Sequence, residues 1–233
     1  MSSPIARSSK SVSDKILINI HQKVSHSERV KVLSGILADE IRGLINDGCI
    51  SSAPKVLDIG CGDLSLSELA VSSIDGAALT CVDLYPVPEE WLEVEAKWNK
   101  YSQFNGIDLL YDDKAFDVGL LSDVLHHAGK SDGKALVQNA LGKCRYLNIK
   151  DHFEYGLVSR HMLRAMDFVG NYGYGVSVPR RYFSRKSFEV FCSEVGAEIV
   201  YLKVGFDLYN KLPGINILLS PKWQFVAVCK AKQ

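Results

Sequence analysis

Residues 56–62 read Val-Leu-Asp-Ile-Gly-Cys-Gly, an apolar strand running into a glycine turn, and a second apolar run, Ala78 to Val82, closes on Asp83. A strand, a turn, a helix and a second strand ending in an acid make half of a nucleotide-type pocket. Gly60 and Gly62 matter because a residue without Cβ takes positive φ and lets backbone N–H groups come against a ligand. Asp83 matters because a carboxylate accepts hydrogen bonds from both hydroxyls of a ribose.

With Asp58, Gly60 and Gly62 in an acid-x-Gly-x-Gly pattern, the turn resembles that of the class I methyltransferases, which use S-adenosylmethionine. The family's third glycine falls where this chain has Leu64, and the dinucleotide fingerprint Gly-x-Gly-x-x-Gly would end at Ser65. The resemblance implies that Asp58 orients the glycine loop and the methionine end of the cofactor. Two alternatives remain: an NAD-dependent oxidoreductase, which needs the ordinary dinucleotide turn, and a regulatory protein that binds S-adenosylmethionine without catalysis, for which Leu64 is the support.

The chain has 233 residues, 47% of them hydrophobic, which suits one α/β domain with an extra segment. Lys plus Arg and Asp plus Glu number 27 each, so no global field draws it to nucleic acid or acidic lipid, and no nucleic-acid partner is expected. Six cysteines, at 49, 61, 81, 144, 192 and 229, form no Cys-x-x-Cys and read as buried, reduced thiols of a cytoplasmic protein. No apolar stretch reaches about 18 residues, so no membrane span is expected.

Residues 1–12 read as a disordered tail and 13–50 as a helical extension, with Ile16, Ile20 and Val24, then Val30, Leu33, Leu37, Ile41 and Leu44 at helical spacing. A break near His26 makes two helices, the second capped by Ser27. Strand-like runs then appear at 55–59, 78–83, 116–121, 144–150, 197–206 and 223–229, with a short one from Tyr101 to Asn105. Their alternation with helical stretches predicts an α/β, doubly wound, mostly parallel sheet over 51–233, and the last two runs allow a hairpin. The resemblance implies seven strands in the order 3-2-1-4-5-7-6 with strand 7 antiparallel.

Ligands of open α/β sheets sit at the carboxyl ends of the strands. There the candidates for the cofactor are Asp58, Gly60, Gly62, Asp83 and Leu84, then Phe104 and Asn105 at the adenine, with Ser122, Asp123 and Val124 at the methionine. Asn105-Gly106 reads equally as a plain turn. For the acceptor, the fifth run ends in Lys150-Asp151-His152. His152 is the first candidate base, His127 the second, and Asp151 or Asp123 the group that orients it. Two His and two Asp at one rim also offer a divalent-metal alternative. The stretch 153–187 is expected to form an acceptor lid, with Tyr172, Tyr174, Tyr182 and Arg181 as specificity residues and Arg180, Arg185 and Lys186 as further anion ligands. Its Lys-Asp-His and Leu-Arg-x-Met-Asp-x-Val-Gly-Asn segments are similar to a bacterial branch of the same family. Together these readings predict methyl transfer to a small molecule or a glycan or lipid intermediate, at oxygen.

Overall fold

Apolar residues alternate by side along the central strands, so every one of them must be covered on both faces. The computed structural model describes residues 27–86, 100–171, 178–208 and 220–232. The tail 1–12, residues 13–26 of the helical extension, and Tyr172 and Tyr174 lie outside the described residues.

Seven strands form one sheet: β1 Lys55–Ile59, β2 Ala78–Asp83, β3 Tyr101–Gln103, β4 Phe116–Ser122, β5 Cys144–His152, β6 Ala197–Val204 and β7 Gln224–Ala231. Their order is β3-β2-β1-β4-β5-β7-β6, as the resemblance implied, and β7 runs antiparallel to both of its neighbours. Five helices are described: α1 Ser27–Asn46, α2 Ser65–Ser72, α3 Lys130–Lys143, α4 Leu157–Asn171 and α5 Arg185–Glu194. α1 buries Val30, Leu33, Leu37, Ile41 and Leu44, one stripe at the spacing read from the sequence.

Two apolar layers sandwich the sheet. Val56, Val118, Leu120, Val226 and Val228 pack with α1 and α2 residues, while Leu57, Ile59, Leu121, Ile149, Phe225 and Ala227 pack with residues of α3 and α5. The strand period of two thus sends successive residues to opposite layers.

Some bounds differ from the sequence reading. β5 runs two residues past the apolar run, through His152, because Asp151 and His152 pair with Phe225 and Gln224 of β7. β6 stops at Val204, ahead of Gly205 at φ +86°. β3 stops at Gln103, ahead of a turn closed by Asn105. Cys49 is exposed, against the expectation that all six thiols are buried; the other five are. Among the described residues no helix is long and apolar enough to cross a membrane.

Candidate active site

The carboxyl ends of β1 and β2 are joined by hydrogen bonds that shape the glycine turn. The Gly60 amide donates to Val82 O at 2.8 Å, and the Gly62 amide donates to Asp83 Oδ2 at 2.8 Å. Gly60 and Gly62 both have positive φ, +79° and +56°. Gly60 also has no room for a side chain, since a Cβ there would sit 2.5 Å from Val124 Cγ2. Asp58 is buried, and burial pushes its carboxyl up to about 7 against the opposing hydrogen bond from Ser67. Leu64 takes φ +68° at the start of α2 and is fully buried in the α1-side layer. The left-handed conformation costs a non-glycine residue about 1–2 kcal/mol. Burial of the leucine side chain, about 1.5–3 kcal/mol, offsets it.

Leu84 is exposed and lies 3.5 Å from where a Cβ on Gly106 would be, so β2 and the turn after β3 form two sides of one slot. Phe104 is half-buried at that turn. Asn105 has a different task from the one expected. Its Oδ1 accepts from the amides of Ile107 and Asp108 at 2.9 and 2.8 Å, and its Nδ2 donates to Asp108 Oδ2, so the side chain is committed to the turn.

At the ends of β4 and β5 lies a buried cluster of ionisable groups. Asp123 has φ +57° and accepts from Lys150 Nζ at 2.5 Å and from Arg29 of α1. Burial favours its neutral form, but the two cations hold its carboxyl well below the usual range. Asp151 is fully buried; its Oδ1 lies 2.7 Å from His126 Nδ1 and accepts the His152 amide at 2.7 Å. For His126, burial favours the neutral ring, yet the Asp151 carboxylate prevails and pushes the imidazole up to about 8. For His152, burial and then the Lys150 ammonium act together and lower it. The ring of His152 stands 3.4 Å from Asp123 Oδ1, and its Nδ1 makes no hydrogen bond. His127 is half-buried, with its ring 4.1 Å from that of His126.

Beside this cluster a groove of about 610 Å³ runs between the β4–α3 turn and α5, lined by Leu125, His126, Glu154, Arg181, Tyr182 and Lys186 among others. It begins one residue after Val124, which touches Gly60. Tyr182 is not a free wall of this groove, because its ring is buried and its hydroxyl donates to Asp167 of α4. Arg180, Arg181, Arg185 and Lys186 are exposed, and Arg185 pairs with Glu189 at 3.1 Å.

Residues 57–145 match the family model described as a methyltransferase domain. Over that stretch the chain is similar to methyltransferase domains. Solved structures share the fold at low identity. A Burkholderia thailandensis 1,6-didemethyltoxoflavin-N1-methyltransferase with bound S-adenosylhomocysteine has TM-score 0.58 and 14% identity, covering 100% of this chain and 94% of its own. An Archaeoglobus fulgidus SAM-dependent methyltransferase has TM-score 0.55 and 16% identity, with coverage of 84% and 94%. The mitomycin 7-O-methyltransferase has TM-score 0.57 and 17% identity over 78% of this chain and 50% of its own, so the chain spans about half of that enzyme's length. No curated protein matches by sequence.

S-adenosylmethionine is the cofactor of such domains, and the residues present fit it. Asp83 uses one oxygen on the Gly62 amide and the other on the Tyr85 amide, at 2.8 and 3.2 Å. A carboxylate has about four acceptor sites, so capacity for two ribose hydroxyls remains. The methyltransferase turn leaves open space above Gly62. The NAD reading loses its ground, both by the family match and by geometry. Tyr146 and Lys150 do stand at Tyr-x-x-x-Lys spacing, but both lie on β5, where four residues separate side chains by roughly 13 Å.

The sequence reading missed His126, Lys150, Arg29 and Asp167. A lysine inside the apolar run of β5 was the available signal for Lys150, since a buried ammonium needs an acid beside it.

Proposed function

We propose that this protein transfers a methyl group from S-adenosylmethionine to a small molecule or a glycan or lipid intermediate, at an oxygen. One observation carries the reading: Val124, packed on Gly60 of the donor turn, is followed directly by the turn that leads into the buried His–Asp cluster and the groove. Donor and acceptor sides are therefore adjacent. Bound S-adenosylmethionine supplies an activated methyl on a sulfonium. The chain's own task is to hold the acceptor in line, which can supply about 7–11 kcal/mol of the barrier, and to take its proton.

His152 is the proposed proton acceptor, with His127 as the second candidate. Burial and Lys150 keep the His152 imidazole neutral, as a base requires. Asp151 fixes the backbone of His152 through the bond to its amide. Residues 153–187 would cover the acceptor, and Arg181 on the groove suits an acidic handle. Leu64, the support for a non-catalytic reading, is accommodated by its buried packing.

Calorimetry with S-adenosylmethionine tests the donor side. Binding should be measurable and should weaken in Asp83→Ala by about 1.5–3 kcal/mol for each charge-assisted hydrogen bond lost. No binding at tens of micromolar, roughly what the reading needs, would sink it. His152→Gln should keep cofactor binding and lower the rate of methyl label transfer into a metabolite extract; an unchanged rate removes His152 as base.

A further inference from the structure

We propose that His126, His127 and Asp167 form a binding site for a divalent metal ion of the zinc type, backed by Asp151 and Tyr182. His126 is the centre of it. Its Nδ1 is tied to Asp151 Oδ1 at 2.7 Å, which fixes the ring and leaves Nε2 facing the other way. Metal-binding histidines are held in this manner, with the ring nitrogen that does not bind the metal hydrogen-bonded to a carboxylate. Nε2 is buried and makes no hydrogen bond, and Asp167 Oδ2 lies 3.5 Å from it.

The other two ligands come from different elements. His127 follows in the β4–α3 turn, with its ring centroid 4.1 Å from that of His126, and Asp167 comes from α4. One donor atom from each of the three lies within 4.8 Å of the others. One ion with bonds of about 2.0–2.2 Å spans donors that close after small side-chain shifts. The Tyr182 hydroxyl, donated to Asp167, orients that carboxylate as Asp151 orients His126.

Donor chemistry selects the ion. Two imidazole nitrogens and one carboxylate oxygen suit zinc, cobalt or nickel, whereas magnesium and calcium prefer oxygen alone. Three protein ligands leave a fourth position for a ligand heteroatom. A neighbouring group, Asp123, His126, Asp151 and His152, also has convergent donors, but the Lys150 ammonium and Arg29 already serve as its cations. Among the described residues, Arg164, one turn before Asp167, is a positive group that acts on Tyr182 beside the carboxylates of Asp151 and Asp167.

The test uses the full chain in a Cys49→Ala background, which removes the exposed thiol, stripped with a chelator and titrated with Co²⁺ in the visible range. One equivalent should give d–d absorption that Zn²⁺ displaces. Asp167→Asn and His127→Gln should each abolish it, and Tyr182→Phe should weaken binding about 10-fold. Circular dichroism checks that each variant is folded. If Asp167→Asn is not, His127→Gln decides. No absorption at one equivalent, or absorption unchanged in folded His127→Gln, overturns the site. The inference stands apart from the methyl-transfer reading. Co²⁺ binding without S-adenosylmethionine binding supports the one and overturns the other.

Discussion

Val124 Cγ2 occupies the space that a side chain on Gly60 would need, 2.5 Å from the position of its Cβ. The donor turn and the end of β4 are thus fitted to each other across two strands. Gly60→Ala should abolish S-adenosylmethionine binding in calorimetry, since it adds this clash to the strain of φ +79°. Adding Val124→Ala should relieve the clash and leave the strain, so the double variant should recover only part of the affinity.

Leu64 sets backbone strain against packing, and the magnitudes decide the sign. Leu64→Gly would relieve about 1–2 kcal/mol of left-handed strain. It would also lose more than the about 2–5 kcal/mol that removing a buried leucine to alanine costs. Leu64→Gly should therefore lower stability in urea unfolding; a gain would show that the side chain contributes little.

Asp58 gives a pH dependence of known sign. Burial raises its folded pKa from 3.8 to about 7, so the native state binds the proton more tightly than the unfolded chain. Its contribution is complete below the unfolded pKa and is lost as pH rises toward about 7, with a slope approaching about 1.4 kcal/mol per pH unit inside that window. Urea unfolding of the protein and of Asp58→Asn, compared between those limits, should show a stability difference that falls with pH at up to that slope; a constant difference would remove Asp58 as its source.

Lys150 is fully buried and its ammonium is held by Asp123 at 2.5 Å. Removing one member of a buried ion pair typically costs about 3–5 kcal/mol, because the other charge stays behind. Lys150→Met should fall in that range by urea unfolding. The loss should be smaller than the sum of the separate losses when Asp123→Asn is added, as a double-mutant cycle would measure.

How far the sequence reaches differs between the two sides of the site. The glycine turn proposed for the donor was legible as structure because its parts are local: Asp58, Gly60 and Gly62 lie within five residues, and Asp83 ends the next strand. The acceptor side depends on partners far apart in the chain, such as Arg29 with Asp123 or Tyr182 with Asp167. His126 and His127 both follow β4 in a turn, and the sequence reading names only His127. Only the tertiary position of Asp151 selects His126. Asn105-Gly106 shows the reverse case, where the plainer turn reading of the pair was the one that matched.

Because β7 runs against β5, it starts beside His152, at Gln224, and carries the chain away from the ligand edge toward Ala231. A fluorophore or surface tether attached at Lys232 therefore leaves the molecule from the opposite edge. Such a probe could report on cofactor or metal uptake from outside without standing in the way of either.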